Sequence, residues 1–135
     1  MRVVMLVAVL LMARTVTAQP IERINPPGLS MPTTYSHIVK VGSILYIAGQ
    51  VGADAQGKVV GSGMVEQVEQ VLKNLQIALK SQGVDFSHAA VRAKYFGANR
   101  PASTLVGVTR LASPDYKVEI EATAHLPGGV RLLKQ

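Results

Sequence analysis

Between Met64 and Lys80, apolar residues recur at positions 64, 65, 68, 71, 72, 75, 78 and 79. Spacings of three and four place them on one stripe of an α-helix, and Gly83 follows as a natural stop. Glu66, Glu69, Gln70, Lys73 and Lys80 fall on the opposite, solvated face. A helix of this length draws most of its stability from burying such a stripe, so the rest of the chain has to supply an apolar surface to cover it.

Strands supply that surface. Ser36 to Val41 and Ile44 to Val51 read as two strands joined at Gly42-Ser43, a tight-turn pair. Thr104 to Leu111 and Tyr116 to His125 read as two more, linked by a Ser-Pro-Asp turn. In the last of these, Val118, Ile120, Ala122 and Ala124 form one face, while Glu119, Glu121, Thr123 and His125 form the other. Residues 19–34 are polar and proline-rich, which predicts an N-terminal arm leading into the fold. Asp54 to Lys58 reads as a turn with Gly57 available for positive φ. The sequence holds no internal repeat and no low-complexity tract.

A chain of 135 residues has room for one domain with a modest core, and a hydrophobic fraction of 48% argues against disorder. Residues 1–18 have the layout of a signal peptide: an early Arg2, an apolar run from Val3 to Ala13, and Val16 and Ala18 before the break. Cleavage after Ala18 and a periplasmic or secreted location are therefore expected. The run is well short of the roughly 20 residues a spanning helix needs, so no stable membrane anchor is expected. Loss of Arg2 and Arg14 leaves twelve basic and eight acidic residues, a charge of +4. These basic residues are scattered, with little aromatic interleaving, which argues against nucleic-acid binding. The absence of Cys excludes disulfides and thiol catalysis.

The chemistry-bearing residues form no signature on their own. His37, His88 and His125 lack ligand-type spacing, so no metal is expected. Gly61-Ser62-Gly63 precedes the helix and could cradle an anion, but short glycine-rich runs usually only turn the chain. An i, i+2 pair such as Glu119 and Glu121 is by itself most often a solvated sheet face. Tyr35, just ahead of the first strand, is by itself most often a packing residue.

In combination the segments say more. TYSHIVKVGSILYIAGQVG, the helix, NRPASTLVGVTRLA and KVEIEATA occur in an order that resembles the RidA/YjgF family of imine and enamine deaminases, from Asn25 to Ala124. The resemblance implies an α+β fold of the chorismate-mutase-like type, a mixed β-sheet with helices packed on one face. It places the domain at residues 35–126, with 127–135 as a C-terminal tail. It also implies a homotrimer with clefts at the subunit interfaces, a small-molecule imine or enamine ligand, and no cofactor. Tyr35 matches a tyrosine that this family carries in its N-terminal loop. Glu119 matches an acidic residue that positions the attacking water, a role that fits imine hydrolysis. Backbone near Gly49 and Leu105, together with Ser103, would shape the ligand site.

The sequence departs from that pattern in three places. The strand motif that commonly reads SGQ is AGQ here, with Ala48 in the serine's position. Where the deaminases carry an arginine two residues after the strand's leading proline, this chain has Ser103. A guanidinium grips a carboxylate through two parallel hydrogen bonds that a hydroxyl cannot reproduce, and a hydrogen bond to a charged group contributes about 1.5–3 kcal/mol. Arg100 is offset by three residues and points to the opposite face of an extended segment. Finally, thirteen residues separate Phe86 from Arg100. A strand of about 5–6 residues and a helix of about 11 do not fit there, so the second helix and the strand before it are expected to be truncated, leaving a helix stump or a substitute strand.

Two functions remain in view. One is an exported hydrolytic deaminase that converts reactive imines or enamines to a carbonyl compound and ammonia. The other is a non-catalytic trimer of the same fold that binds a small metabolite or acts as a holdase. Family members have also been labelled endoribonucleases, but the chain has no His pair or basic stripe suited to RNA cleavage.

Overall fold

A computed structural model of the protein describes residues 18–85, 102–104 and 106–127. Among these residues four strands and one helix run β1 (Ile21–Ile24), β2 (Ile38–Val41), β3 (Ile44–Val51), α1 (Met64–Lys80) and β4 (Glu119–His125). The sheet order is β1-β2-β3-β4, and each neighbouring pair is antiparallel. The mixed sheet expected from the family resemblance is thus antiparallel throughout among the described residues. The position expected for a parallel strand, and the helix stump at 87–99, lie outside them, as do most of the leader and the tail.

Register settles which residues meet the helix. Ile24, Ile38, Ile47 and Ala122 lie in one row across the sheet, and Lys40, Leu45 and Ala124 share the same face. Against that face pack Val71, Leu72, Leu75, Ala78 and Leu79 of α1, with Leu29 and Val84 closing the core. The helix spans the stretch that its periodicity predicts. Its first turn does not join the core, however: Met64 is 54% exposed and Val65 is 70% exposed. Gln67 and Asn74 are buried on this face instead, each for a hydrogen-bonding reason. Asn74 Nδ2 donates to Val51 O at 3.2 Å and to Ala53 O at 2.9 Å, and Gln70 Nε2 donates to Asn74 Oδ1 at 2.9 Å. At the far end Gly83 takes φ 73° and Val84 N–H donates to Leu79 O, which returns Val84 to the core.

The Gly42-Ser43 hairpin forms as predicted, with Gly42 at φ 57° and Ser43 on the ordinary side of the map. This is the pattern of a type II′ turn. Three segments differ from the sequence reading. The proline-rich arm contains β1, an edge strand that pairs with β2 and is tied to it by a Lys40–Glu22 ion pair at 2.9 Å. It is short because Pro26 and Pro27 have no N–H to donate to a ladder. Residues 116–118 lie outside β4, because β3 departs from the sheet at Gly52 to form the Ala53–Val59 bridge. Thr104–Leu111, read as a strand, forms none among its described residues, and Val106 and Val108 are exposed. Alternation marks a strand only where a neighbour takes up its backbone groups, and β3 is the strand that pairs with β4 here.

Candidate functional site

The AGQ motif is the point where the β3–β4 ladder changes phase. Ile47 pairs with Ala122, but Gln50 pairs with Ile120, so three residues of β3 advance against two of β4. The extra residue makes a β-bulge at Ala48-Gly49, a device common beside active sites because it re-aims side chains. Its first effect is that Gln50 turns inward, following Leu45 and Ile47, where strict alternation would have sent Gly49.

Buried Gln50 then organises the backbone around the bulge. Its Nε2 donates to Ala48 O at 2.8 Å and lies 3.3 Å from His37 Nδ1. His37 is 3% exposed, and its Nε2 lies 2.7 Å from Ser30 O. A carbonyl only accepts, so Nε2 carries the proton and Nδ1 accepts from the Gln50 amide. Backbone bonds finish the assembly: His37 N–H donates to Asn25 Oδ1, and Ala48 N–H donates to His37 O. The Tyr35 ring stands edge-on to the His37 ring, with centroids 5.4 Å apart at 80°, and remains half exposed. One buried network therefore ties the loop bearing Tyr35 to the bulge bearing Gly49.

Glu119 reaches the same bulge from the other strand. It is the first residue of β4, paired with Val51, and its side chain is exposed on the face away from α1. Its carboxylate lies over Gly49, filling the space a Cβ would occupy there. Glycine is required at this position for close approach, since its backbone is not in the left-handed region. Two residues along the same face, Glu121 lines a shallow groove of about 420 Å³ with Ser36, Val39, Tyr46, Ala48 and Thr123. The groove runs directly beside the bulge.

The expected site residues are thus only partly gathered. Glu119 meets Gly49, and Tyr35 is linked to the bulge through His37. Ser103 is exposed and does not line the groove, while Leu105 lies outside the described residues. His37 and Gln50, which organise the site, were invisible as such in the sequence. A histidine two residues after the loop tyrosine and a glutamine at the strand end become informative only once the bulge is known. The glycine-rich run ahead of α1 turns the chain and is packed by the helix itself, with the Glu66 side chain across both Gly61 and Gly63. Among the described residues, no three His, Asp or Glu side chains come together to hold a metal ion, and no helix is long and apolar enough to cross a membrane.

Comparison with known proteins gives consistent relatives. The family model described as Endoribonuclease L-PSP matches residues 28–98. The human 2-iminobutanoate/2-iminopropanoate deaminase is 32% identical over 122 residues, covering 77% of this chain and 87% of that protein. A RutC family protein of Pyrococcus horikoshii is 33% identical over 109 residues, covering 67% and 86% respectively. Among solved structures, a Rid-family protein of unknown function from Yersinia pestis superposes with a TM-score of 0.73 at 26% identity, covering 79% of this chain and all of that one. A yeast protein reaches the same TM-score at 22% identity, over 79% and 99% of the two chains, and shows the shared fold. The family model, these relatives and the shared fold of sheet and packed helix agree: the chain belongs to the RidA/YjgF family.

Proposed function

We propose that the protein hydrolyses small reactive imines or enamines to a carbonyl compound and ammonia. The observation that carries this reading is the exposed Glu119 carboxylate held over the Gly49 bulge. A carboxylate there has one side supported by backbone and the other open to a water molecule. Water adds through oxygen to the carbon of C=N while Glu119 takes a proton from it. The resulting carbinolamine collapses to C=O, both protons of the water finish on nitrogen, and ammonia leaves. Tyr35, on its His37 support, borders the ligand together with the Gly49 backbone. The human relative, a 2-iminobutanoate/2-iminopropanoate deaminase by name, supports the same reaction class.

The proposal includes a homotrimer, in which a neighbouring subunit closes over the exposed Glu119, and export with cleavage after Ala18. The second reading is a non-catalytic trimer that binds a small metabolite. Ser103 favours it, because a hydroxyl there cannot clamp a substrate carboxylate as a guanidinium does. The test generates imines in situ with an amino-acid oxidase and follows their disappearance in competition with a trapping amine. Faster disappearance with wild type and none with Glu119→Gln is expected, since the amide cannot take a proton from water. A folded wild type that leaves imine lifetimes unchanged would favour the binding protein.

A further inference from the structure

We infer that Gln67 of α1 is a positioning residue for Glu119, acting through the backbone that leads into β4. Gln67 is fully buried (0% exposed), an unusual place for a side-chain amide unless both of its ends are satisfied. Both are: Nε2 donates to Asp115 O at 2.8 Å, and Oε1 accepts from Lys117 N–H at 2.9 Å. One amide thus bonds a carbonyl and an N–H two residues apart on the same chain, as an adjacent strand would.

The need for such a surrogate strand follows from the topology. Glu119 pairs with Val51 at the last step of the β3–β4 ladder. Beyond it β3 leaves at Gly52, whose carbonyl accepts from Val60 N–H, so among the described residues no strand lies beside 115–117. A terminal pair frays unless the chain beyond it is held. Gln67 holds it directly beneath that pair: a Cβ on Gly52 would stand 2.6–2.9 Å from the Cβ, Cγ and Oε1 of Gln67. Asn74 does the corresponding work on the β3 side, through Val51 O and Ala53 O. The helix therefore holds both chains at the step where Glu119 is aimed over Gly49, with Gln67 bonding the backbone that leads to the carboxylate and Val118 and Ile120 packing beside it.

The kinetic part of this inference rests on the deaminase reading, whereas the structural part does not, and the experiment separates them. Hydrogen exchange on the wild type should show the Lys117 amide protected to a level comparable with β4, although it lies outside any strand. Exchange at the rate of an open loop would overturn the inference without any variant. Gln67→Met keeps the volume and removes both hydrogen bonds. It should speed exchange from Lys117 through Glu121 while β1 and β2 keep their protection. In the imine assay the variant should lose about ten- to hundredfold in kcat with KM within about twofold, the signature of a displaced catalytic group rather than lost substrate binding. A uniform rise in exchange across the sheet, or unchanged kcat in an active protein, would assign Gln67 a structural role only and overturn the inference. A wild type inert toward imines whose Gln67→Met variant still opens locally at Lys117–Glu121 would remove the reaction and leave the positioning role supported.

Discussion

The carboxylate of Glu119 rests over Gly49, in space that any side chain at position 49 would fill. This contact joins the end of one strand to a bulge in its neighbour. It places the carboxylate on which the proposed reaction depends at a bulge whose Ala48 carbonyl is held by buried Gln50. Gly49→Ala is therefore expected to separate stability from activity. The added methyl meets the far end of a flexible side chain, which swings away at small cost, so the thermal midpoint should change by only a few degrees, on the order of 1 kcal/mol or less. The carboxylate loses its seat, and imine hydrolysis should fall by at least about tenfold. Paired melting curves and initial rates check this, and undiminished activity would show that the seat is not needed.

Asn74 makes the opposite prediction. Its amide is buried, satisfies Val51 O and Ala53 O, and accepts from Gln70. Asn74→Leu keeps the branched shape but leaves the buried Ala53 O without this donor, while Val51 O keeps only the Ala53 N–H. A buried group left unsatisfied costs about 1–3 kcal/mol. Urea unfolding should show a lower midpoint with an unchanged slope. A variant as stable as the wild type would mean that water or a shifted helix replaces the amide.

How much of this could be read in advance depended on the kind of signal. The helix and β3 were legible to the residue, because their apolar patterns are regular and closed by Gly83 and Gly42. Met64 and Val65 were misread as core because period alone cannot say where the sheet under a helix ends. Gln67 and Asn74 were missed for the same reason, since polar residues on a buried face declare themselves only through their partners. β1 was hidden by the prolines that end it. Thr104–Leu111 was overread because alternation reports strand propensity and not the presence of a neighbour. The approach of Glu119 to Gly49 was not legible from spacing, since one bulge residue shifts the phase of all that follows. Resemblance to known deaminases pointed to Glu119, and the bulge is where its carboxylate comes to lie.

The face of the sheet away from α1 carries the next expectation. Register places Ile21, Val41, Ile44 and His125 in one row on it, and Arg23, Val39, Tyr46 and Thr123 in the next, with the apolar Ile21 and Tyr46 substantially exposed. An exposed apolar patch such as Ile21, Val39, Val41, Ile44 and Tyr46 is normally covered, either by further structure or by copies of the same chain. Light scattering on the chain beginning at Gln19 should give three times the monomer mass at micromolar concentration. A cooperatively melting monomer would count against the trimer. Tyr46→Glu, a charge placed in the centre of that face, should shift the distribution toward smaller species.

Ser103 decides between enzyme and binding protein. It is exposed, so a longer side chain at this position meets no core. If Glu119 retains its water-positioning role while the cleft lacks a carboxylate clamp, the wild type should act only weakly on imines derived from amino acids. Ser103→Arg restores a planar donor that holds a carboxylate through two parallel hydrogen bonds. At about 1.5–3 kcal/mol for a hydrogen bond to a charged group, the gain in kcat/KM should be about ten- to hundredfold. It should vanish for imines that carry no carboxylate, because those have nothing for the guanidinium to hold. A Ser103→Arg protein that is folded and trimeric yet inert on both classes would leave the metabolite-binding reading standing. A wild type already as fast on carboxylated imines as an arginine-bearing relative would show that another group in the cleft supplies the clamp.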